Sequence, residues 1–334
     1  MSHRTSATIA ASGLVMDEMM VPAIDPGIEI YVRNKRPAGL DTFSPERTVL
    51  FVHGRTYPAS TCFDLQLDGL SWMEYIAARD FDVYLLDLRG YGRSTRPPEM
   101  ADAPEANAPI VRSETAVKDI GAVVDFILAR RGIPRVNLIG WSWGTALMSL
   151  YTTRNADKVE RLTLFAPGWL RTSPSRALGG PGPLGAYRTV TREQARERWL
   201  TGVPDEHRES LIPPGWFDAW ADATWATDPV GATMSPPVIR APNGVRQDSD
   251  EYWGAGRPLY DPAQITVPTL LVVGEWDHDT PPHLAQTLFP LLVNAPGKRY
   301  AELAEGTHTI VMERNRLALF ETVQDFLEAD RVVG

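Results

Sequence analysis

Five short apolar runs recur along the chain, and each is followed by a turn and then by a segment with helical periodicity. The runs cover residues 48–53, 82–87, 136–141, 161–166 and 269–274. Runs of this kind are typical of strands that are buried on both faces of a parallel sheet. Their alternation with helices predicts an α/β fold with a mostly parallel sheet. Residues 28–32 are expected to belong to an antiparallel hairpin at one edge of that sheet.

Two helical segments and one irregular region complete the predicted organisation. Residues 115–131 and 316–327 each place their apolar side chains on one helical stripe, which favours packing against the sheet. Residues 169–261 break the alternation, with clustered prolines and glycines, six tryptophans and no strand of comparable quality. We interpret them as an inserted, mainly helical cap, so that the core comprises residues 1–168 and 262–334.

Composition excludes several classes of partner. The net charge of −9 over 334 residues gives no basic surface for nucleic acid or an anionic membrane. Cys62 is the only cysteine, so neither a disulfide within the chain nor a zinc site built from cysteines can form. The N-terminal residues make a poor signal peptide, and no run approaches the roughly 20 apolar residues that span a bilayer. We therefore expect a cytoplasmic protein that binds a small molecule; its oligomeric state is not predicted.

The sharpest motif is the G-x-S-x-G sequence GWSWG at residues 140–144. It directly follows a predicted strand and directly precedes the helical stretch 145–151. In a nucleophile elbow, the two glycines leave room for a strained turn that exposes the serine hydroxyl above the sheet. Ser142 is therefore the predicted nucleophile.

A serine hydroxyl is a weak nucleophile unless a base accepts its proton, so a histidine held by a carboxylate should lie elsewhere in the chain. Among the six histidines, His308 follows the strand-like residues 299–303 in a short loop that could direct the imidazole at Ser142. Asp277 lies on the loop after the run 269–274 and is the predicted acid. Asp279 is a close alternative, and Glu275 is a more distant one.

The negative charge that develops when a carbonyl is attacked needs backbone donors. Two N–H groups are available in the sequence: that of Trp143, directly after the nucleophile, and that of Arg55, after the strand 48–53. His53 is interpreted as structural and is left out of proton transfer.

Together these motifs resemble those of the α/β-hydrolase superfamily. The resemblance rests on His53-Gly54, the DLRGYGRS loop at 87–94, the elbow at Ser142, the G-x-x-D-x-x-x-P at 274–281 and the G-x-H at 306–308. It implies an eight-stranded, mostly parallel sheet, a lid after the sixth strand, no cofactor or metal, and hydrolysis through an acyl-enzyme. The order Ser, Asp, His also agrees with this family.

The sequence departs from two of the superfamily's subgroups. Arg55 and Thr56 follow Gly54, so the HGGG form found in some esterases is absent and their substrates cannot be carried over. A serine stands at the elbow where dehalogenase and epoxide hydrolase relatives have aspartate, which argues against those two reactions.

Several aromatic residues lie close in sequence to the predicted catalytic residues or to the end of the cap. Most tryptophans are expected to pack the cap onto the core, but four aromatic residues are candidates for substrate binding: Trp141, Trp276, Tyr252 and Trp253. A bulky apolar or aromatic substrate group follows as a hypothesis.

The sequence thus predicts a serine hydrolase that cleaves a carboxylic ester, lactone or amide. The alternatives are an acyltransferase with the same triad, or a ligand-binding protein on the same fold. The exact substrate is not predicted, because the same triad serves many bonds.

Overall fold

The computed structural model describes residues 6–9, 13–171 and 183–329. Its strands are β1 (Ser6–Ile9), β2 (Leu14–Pro22), β3 (Glu29–Pro37), β4 (Thr48–Val52), β5 (Asp82–Leu86), β6 (Val136–Trp141), β7 (Val159–Phe165), β8 (Tyr187–Thr191), β9 (Val238–Pro242), β10 (Thr269–Gly274) and β11 (Arg299–Leu303). Its helices are α1 (Ala59–Cys62), α2 (Trp72–Ala77), α3 (Ser113–Arg131), α4 (Trp143–Arg154), α5 (Arg192–Trp199), α6 (Trp216–Trp225), α7 (Pro229–Ala232), α8 (Gly244–Glu251), α9 (Pro282–Leu288) and α10 (Arg316–Glu328).

The main sheet has nine strands in the order β1-β2-β3-β5-β4-β6-β7-β10-β11. The pairs from β5 to β11 are parallel, whereas β1, β2 and β3 are joined to each other and to β5 by antiparallel pairing. The predicted fold class, including the five buried strands and the edge hairpin, is confirmed. The eight expected strands are present, and β1 adds a ninth at the edge of the hairpin.

Apolar side chains cover both faces of the sheet. Along β6, Ile139 and Trp141 belong to the cluster that packs with α2 and α10, whereas Leu138 belongs to the cluster that packs with α3, α4 and α9. Successive side chains of a strand point to opposite faces, so a continuous apolar run serves both clusters at once. This is why the central strands have no polar alternation.

The chain between β7 and β10, which we call the insertion, contains α5 to α8 and a second sheet. In that sheet β8 and β9 pair antiparallel. The expectation that this region has no good strand is therefore wrong: Tyr187–Thr191 and Val238–Pro242 are short and far apart in sequence, and only their pairing stabilises them as strands. In the described ranges no helix has the length and apolarity needed to cross a membrane.

Strand direction gathers the predicted site residues at one edge of the sheet. Because β4, β6, β10 and β11 are parallel, the loops that follow them all start from the same edge. Along the chain, β5 is added on one side of β4 and β6 on the other, and ligands bind in open α/β sheets where the strand order reverses in this way.

Candidate active site

Ser142 occupies a strained turn between β6 and α4. Its backbone angles are φ 57° and ψ −119°, a region that residues with a Cβ rarely adopt. The Ser142 N–H donates to the Phe165 carbonyl at 2.9 Å, which ties the turn to β7. Strain of this kind persists only where the surrounding structure holds it, and it clusters at active sites.

The two glycines of the motif let the backbone pack tightly. A Cβ on Gly140 would lie 2.4 Å from the Gly144 carbonyl oxygen, and a Cβ on Gly144 would lie 2.5 Å from the Val52 oxygen and 2.7 Å from the His53 oxygen. Both clashes involve backbone atoms, which cannot rotate away as a side chain can. The sequence motif thus reflects the close contact of α4 with β4 and with the turn itself.

Replacement of Gly144 by alanine is expected to destabilise the fold by about 3 kcal/mol, because α4 or β4 must shift to admit the methyl group. Gly121→Ala in α3 is the matched control. Its Cβ would meet only Tyr151 Cε2 at 3.6 Å, and alanine in a helix interior is favoured over glycine by about 0.5–1 kcal/mol. Urea unfolding of both variants checks this prediction, and equal stability of the two would contradict it.

His308 lies on the loop after β11 and faces Asp277. His308 Nδ1 is 2.8 Å from Asp277 Oδ2. The Asp277 carboxylate also accepts from the Thr280 N–H at 2.7 Å through Oδ1, and Thr280 Oγ1 lies 2.9 Å from Oδ2. With Nδ1 directed at a carboxylate, the proton of the neutral imidazole is held on Nδ1 and Nε2 is left as an acceptor.

Ser142 and His308 line the same cavity. Nε2 of His308 is buried and has no hydrogen-bond partner among the described residues, and no hydrogen bond joins it to Ser142 Oγ. In free enzymes such bonds are often long and shorten when the substrate is bound. The His308 backbone is held in turn by Trp141, whose Nε1–H donates to the His308 carbonyl at 3.0 Å.

Asp279, the alternative acid, faces a different set of groups. Its Oδ2 accepts from Arg198 Nε at 2.7 Å, and its Oδ1 lies 3.5 Å from Arg55 Nη2. Burial alone would raise the pKa of Asp279, but the Arg198 and Arg55 guanidiniums outweigh burial and hold this pKa well below its ordinary value. In this structure Asp277, and not Asp279, contacts the imidazole.

Glu313 fixes the residue before the histidine. Its Oε2 accepts from the Thr307 N–H at 3.0 Å, and its Oε1 accepts from the Thr307 hydroxyl and from Trp199 Nε1 at 2.9 Å. Trp199 belongs to α5, so one carboxylate joins the histidine loop to the insertion. This role could not be predicted from the sequence, because a glutamate before the last helix resembles an ordinary surface residue.

Burial raises the pKa of Glu313 from 4.5 to about 7, against the opposing effect of the hydrogen bonds from Thr307 and Trp199. A raised pKa means that the folded state binds the proton more tightly than the unfolded state. The stability that Glu313 contributes is therefore complete below pH 4.5 and is lost as the pH rises through about 7.

Between pH 5 and pH 8 the wild type should lose about 2–3 kcal/mol more unfolding free energy than a Glu313→Gln variant, whose side chain does not titrate. Urea unfolding of both proteins at the two pH values measures this difference. The comparison cancels the other titrating groups and any constant cost of the substitution. Parallel pH profiles would show that Glu313 does not titrate in this range.

The loop after β4 runs directly beside the nucleophile. A Cβ on Gly54 would lie 3.0 Å from Ser142 Cβ, so only glycine allows this approach without a shift. Neither the Arg55 N–H nor the Trp143 N–H donates a hydrogen bond to another described residue. The two predicted oxyanion donors are thus available to a ligand.

Three side chains hold this loop in place. His53 Nδ1 donates to the Gly54 carbonyl at 2.7 Å, while its Nε2 accepts from the Leu88 N–H at 3.0 Å. The Arg55 carbonyl accepts from Tyr91 Oη at 3.0 Å and from Arg188 Nη2 at 2.6 Å. Burial lowers the pKa of His53, which keeps its ring neutral. These contacts agree with the structural interpretation of His53.

Two cavities meet at Ser142. The larger, with about 660 Å³ of empty space when the solvent at its mouth is included, has Trp143, Trp169, Trp253 and Tyr260 in its walls, together with Arg55 and Arg171. The smaller, with about 410 Å³ of empty space measured in the same way, is lined by Tyr57, Trp141, Trp199 and Trp220, together with Arg55, Arg198 and His308. Each cavity combines aromatic walls with a few cationic side chains, which is the usual composition of a small-molecule site.

The four predicted substrate-binding aromatic residues divide into two pairs. Trp141 lines the smaller cavity and Trp253 the larger. Trp276 and Tyr252 line neither cavity: the Trp276 ring packs on His207 at 5.0 Å between centroids, and Tyr252 lines a separate surface depression. Adjacency in sequence to Asp277 or to Trp253 did not place these two side chains at the site, because consecutive residues point in different directions.

Comparison with solved structures finds the same fold at low sequence identity. An esterase from Thermogutta terrifontis is 16% identical with a TM-score of 0.61, and covers 93% of this chain and 97% of its own. An enol-lactonase from Burkholderia xenovorans LB400 is 19% identical with a TM-score of 0.62, covering 93% and 100%. The 2-hydroxy-6-oxo-6-phenylhexa-2,4-dienoate hydrolase of Rhodococcus sp. strain RHA1 is 15% identical with a TM-score of 0.61, covering 98% and 100%. Comparison with curated proteins gives no match.

A family model described as the alpha/beta hydrolase fold matches residues 47–314. The match includes every strand from β4 to β11 and the loops that carry Ser142, Asp277 and His308. The chain belongs to the α/β-hydrolase family.

Proposed function

We propose that this protein is a serine hydrolase that cleaves a carboxylic ester, with lactones and amides as related substrates, through an acyl-enzyme. The observation that carries the proposal is the arrangement of His308. Its Nδ1 is paired with Asp277, while its unpartnered Nε2 and the strained Ser142 line one cavity. Residues 169–261 form the cap over a core made of residues 1–168 and 262–334.

In the first half-reaction, Ser142 Oγ attacks the carbonyl carbon while His308 Nε2 takes the hydroxyl proton. Asp277 holds the imidazole in the required tautomer and stabilises the imidazolium. The backbone N–H groups of Arg55 and Trp143 stabilise the oxyanion. The tetrahedral intermediate collapses, His308 gives the proton to the leaving alcohol, and an ester of Ser142 remains.

In the second half-reaction, water attacks the acyl-enzyme. His308 Nε2 takes a proton from that water, and the same two N–H groups stabilise the second oxyanion. Collapse of this intermediate releases the carboxylic acid and returns the proton to Ser142 Oγ. The ester and one water molecule are consumed, and the alcohol and the carboxylic acid are formed.

The two cavities that share Ser142 in their walls favour a substrate with a bulky apolar or aromatic part. One cavity would take the acyl group and the other the leaving group. Burial of apolar substrate surface against their aromatic walls contributes about 25 cal/mol of binding free energy per Å². A short acetyl group would contact few of the aromatic side chains that line the larger cavity.

The test is the reaction of the wild type with a fluorophosphonate, followed by intact mass, peptide mapping and a screen of p-nitrophenyl esters of increasing acyl size. We expect one added probe on Ser142 and faster hydrolysis of large aryl acyl groups than of acetyl. If the folded wild type is neither labelled nor active, the proposed hydrolase function is wrong and a ligand-binding function is favoured. Labelling with transfer to an added alcohol in preference to water would favour the acyltransferase.

A further inference from the structure

Arginines are concentrated at the candidate active site. Arg55 borders both cavities, Arg171 lines the larger cavity and Arg198 lines the smaller. Arg188 lies directly behind the loop after β4, where it donates to the Arg55 carbonyl. Three of the four come from the insertion, so the cluster assembles only when the insertion folds over the core.

Asp279 is the one carboxylate that this cluster contacts among the described residues. Arg198 binds Asp279 through Nε and Nη2, and Arg171 donates to its backbone oxygen. Arg188 donates only to neutral acceptors: the carbonyls of Arg55, Ala241 and Pro242 and the side chains of Thr56 and Asn243. Within the described residues, ion pairing with this cluster is therefore limited to Asp279, while the more distant Asp277 carboxylate also attracts Arg171 and Arg198.

Two of the guanidiniums, Arg55 and Arg171, line the larger cavity together with Asp279 and have unused donors. Within the described residues, Arg171 Nε is buried without a hydrogen-bond partner. Arg55 donates no side-chain hydrogen bond there, and its contact with Asp279 is the 3.5 Å ion pair alone. Burial, reinforced by repulsion from Arg198, lowers the pKa of Arg55 to about 9. The four guanidiniums outnumber the two carboxylates that act on them, Asp277 and Asp279, so positive charge is in excess around the larger cavity.

An excess of buried positive charge is costly unless a ligand compensates it. Removing an ion from water costs several kcal/mol, and an unpaired charge recovers none of this through an ion pair. Arginine also presents a planar set of donors that matches the two oxygens of a carboxylate. Unused donors at Arg55 and Arg171, beside an aromatic wall, therefore suit an organic acid.

We propose that the substrate carries a carboxylate in addition to the bond that is cleaved, and that Arg55 and Arg171 bind it in the larger cavity. The substrate class is then a half-ester, or a related acyl compound with a free acid group. This inference rests on the proposed function for the bond that is cleaved, but the anion site can be tested without catalysis. The role of Arg198 differs, since its guanidinium is already bound to Asp279 and connects the insertion to the core.

The test measures ligand binding to the Ser142→Ala variant by isothermal titration calorimetry. The probes are monobenzyl succinate, which has a free carboxylate, and its neutral match benzyl methyl succinate. We expect the anion to bind at least about 10-fold more tightly, and this ratio to fall about 10-fold or more when Arg171→Met is added. Arg196→Met is the control, because this substitution removes the same charge at an exposed site. Arg196 lies on α5, where its guanidinium is over the Phe217 ring.

Arg55→Met is a second test variant in case Arg171→Met does not fold, and thermal unfolding shows whether each variant is native. Equal binding of the two probes, or a preference that survives both substitutions, would overturn the inference. If Arg196→Met also removes the preference for the anionic probe, the preference is an effect of net charge and the inference fails. Failure of fluorophosphonate labelling would contradict the proposed hydrolase function but not the anion site, which is measured by binding alone. The two failures are therefore distinguishable.

Discussion

Replacement of Ser142 by alanine is expected to lower kcat/KM for aryl esters by on the order of 10⁵- to 10⁶-fold, which corresponds to about 7–8 kcal/mol of transition-state stabilisation. The loss is large because no acyl-enzyme can form without Oγ, and only binding and the oxyanion donors are left to act on water. Steady-state kinetics with p-nitrophenyl esters measures it. Fluorophosphonate labelling should be lost in parallel.

The fold of this variant should be unchanged. The Ser142 N–H bond to Phe165 is a backbone bond, and alanine meets the same strain at φ 57° as serine does. Ser249 is the matched control, since it is a second serine in the wall of the larger cavity. Its alanine variant should still be labelled at Ser142. A Ser142→Ala protein with more than about a tenth of the wild-type rate would exclude the proposed nucleophile.

Much of the fold could be predicted because its signals are local. The central strands are continuous apolar runs, since both of their faces are buried, and such runs stand out in any sequence. The elbow could be located for a similar reason. Gly140 and Gly144 are required by contacts within the turn and with β4, so the motif and its strand-to-helix setting occur together.

Features that depend on distant pairing could not be predicted. β8 and β9 become strands through contacts across 46 or more intervening residues, and neither has a pattern of its own. Arg171 and Arg198 lie in the polar sequence of the insertion, where an arginine is ordinarily a solvated side chain. Only the folded structure places them beside Ser142.

The choice between Asp277 and Asp279 has the same origin. Both follow β10 on one loop, two residues apart, and sequence spacing cannot decide which carboxylate faces His308. The turn decides it: the Thr280 N–H and hydroxyl engage Asp277, while Asp279 is directed towards Arg198. The two aspartates therefore differ in partner, and their amide variants should differ in effect.

The Asp277→Asn variant is expected to lose on the order of 10⁴-fold in kcat, with a much smaller change in stability. Asparagine can donate an N–H to Nδ1 of His308. Nδ1 is then an acceptor, so the neutral imidazole adopts the tautomer that carries its proton on Nε2. A protonated Nε2 cannot accept the proton of Ser142. Steady-state kinetics on a neutral aryl ester measures the loss, and circular dichroism confirms that the variant is folded.

Asp279→Asn is the matched control, with the same substitution two residues along the chain. It removes the partner of Arg198 and leaves the His308–Asp277 contact in place. We expect a lower melting temperature, because breaking a partly buried ion pair leaves a guanidinium unpaired. Its kcat on the neutral ester should fall by far less than that of Asp277→Asn. The reverse result, a loss of about 10⁴-fold for Asp279→Asn with near-normal turnover by Asp277→Asn, would make Asp279 the triad acid.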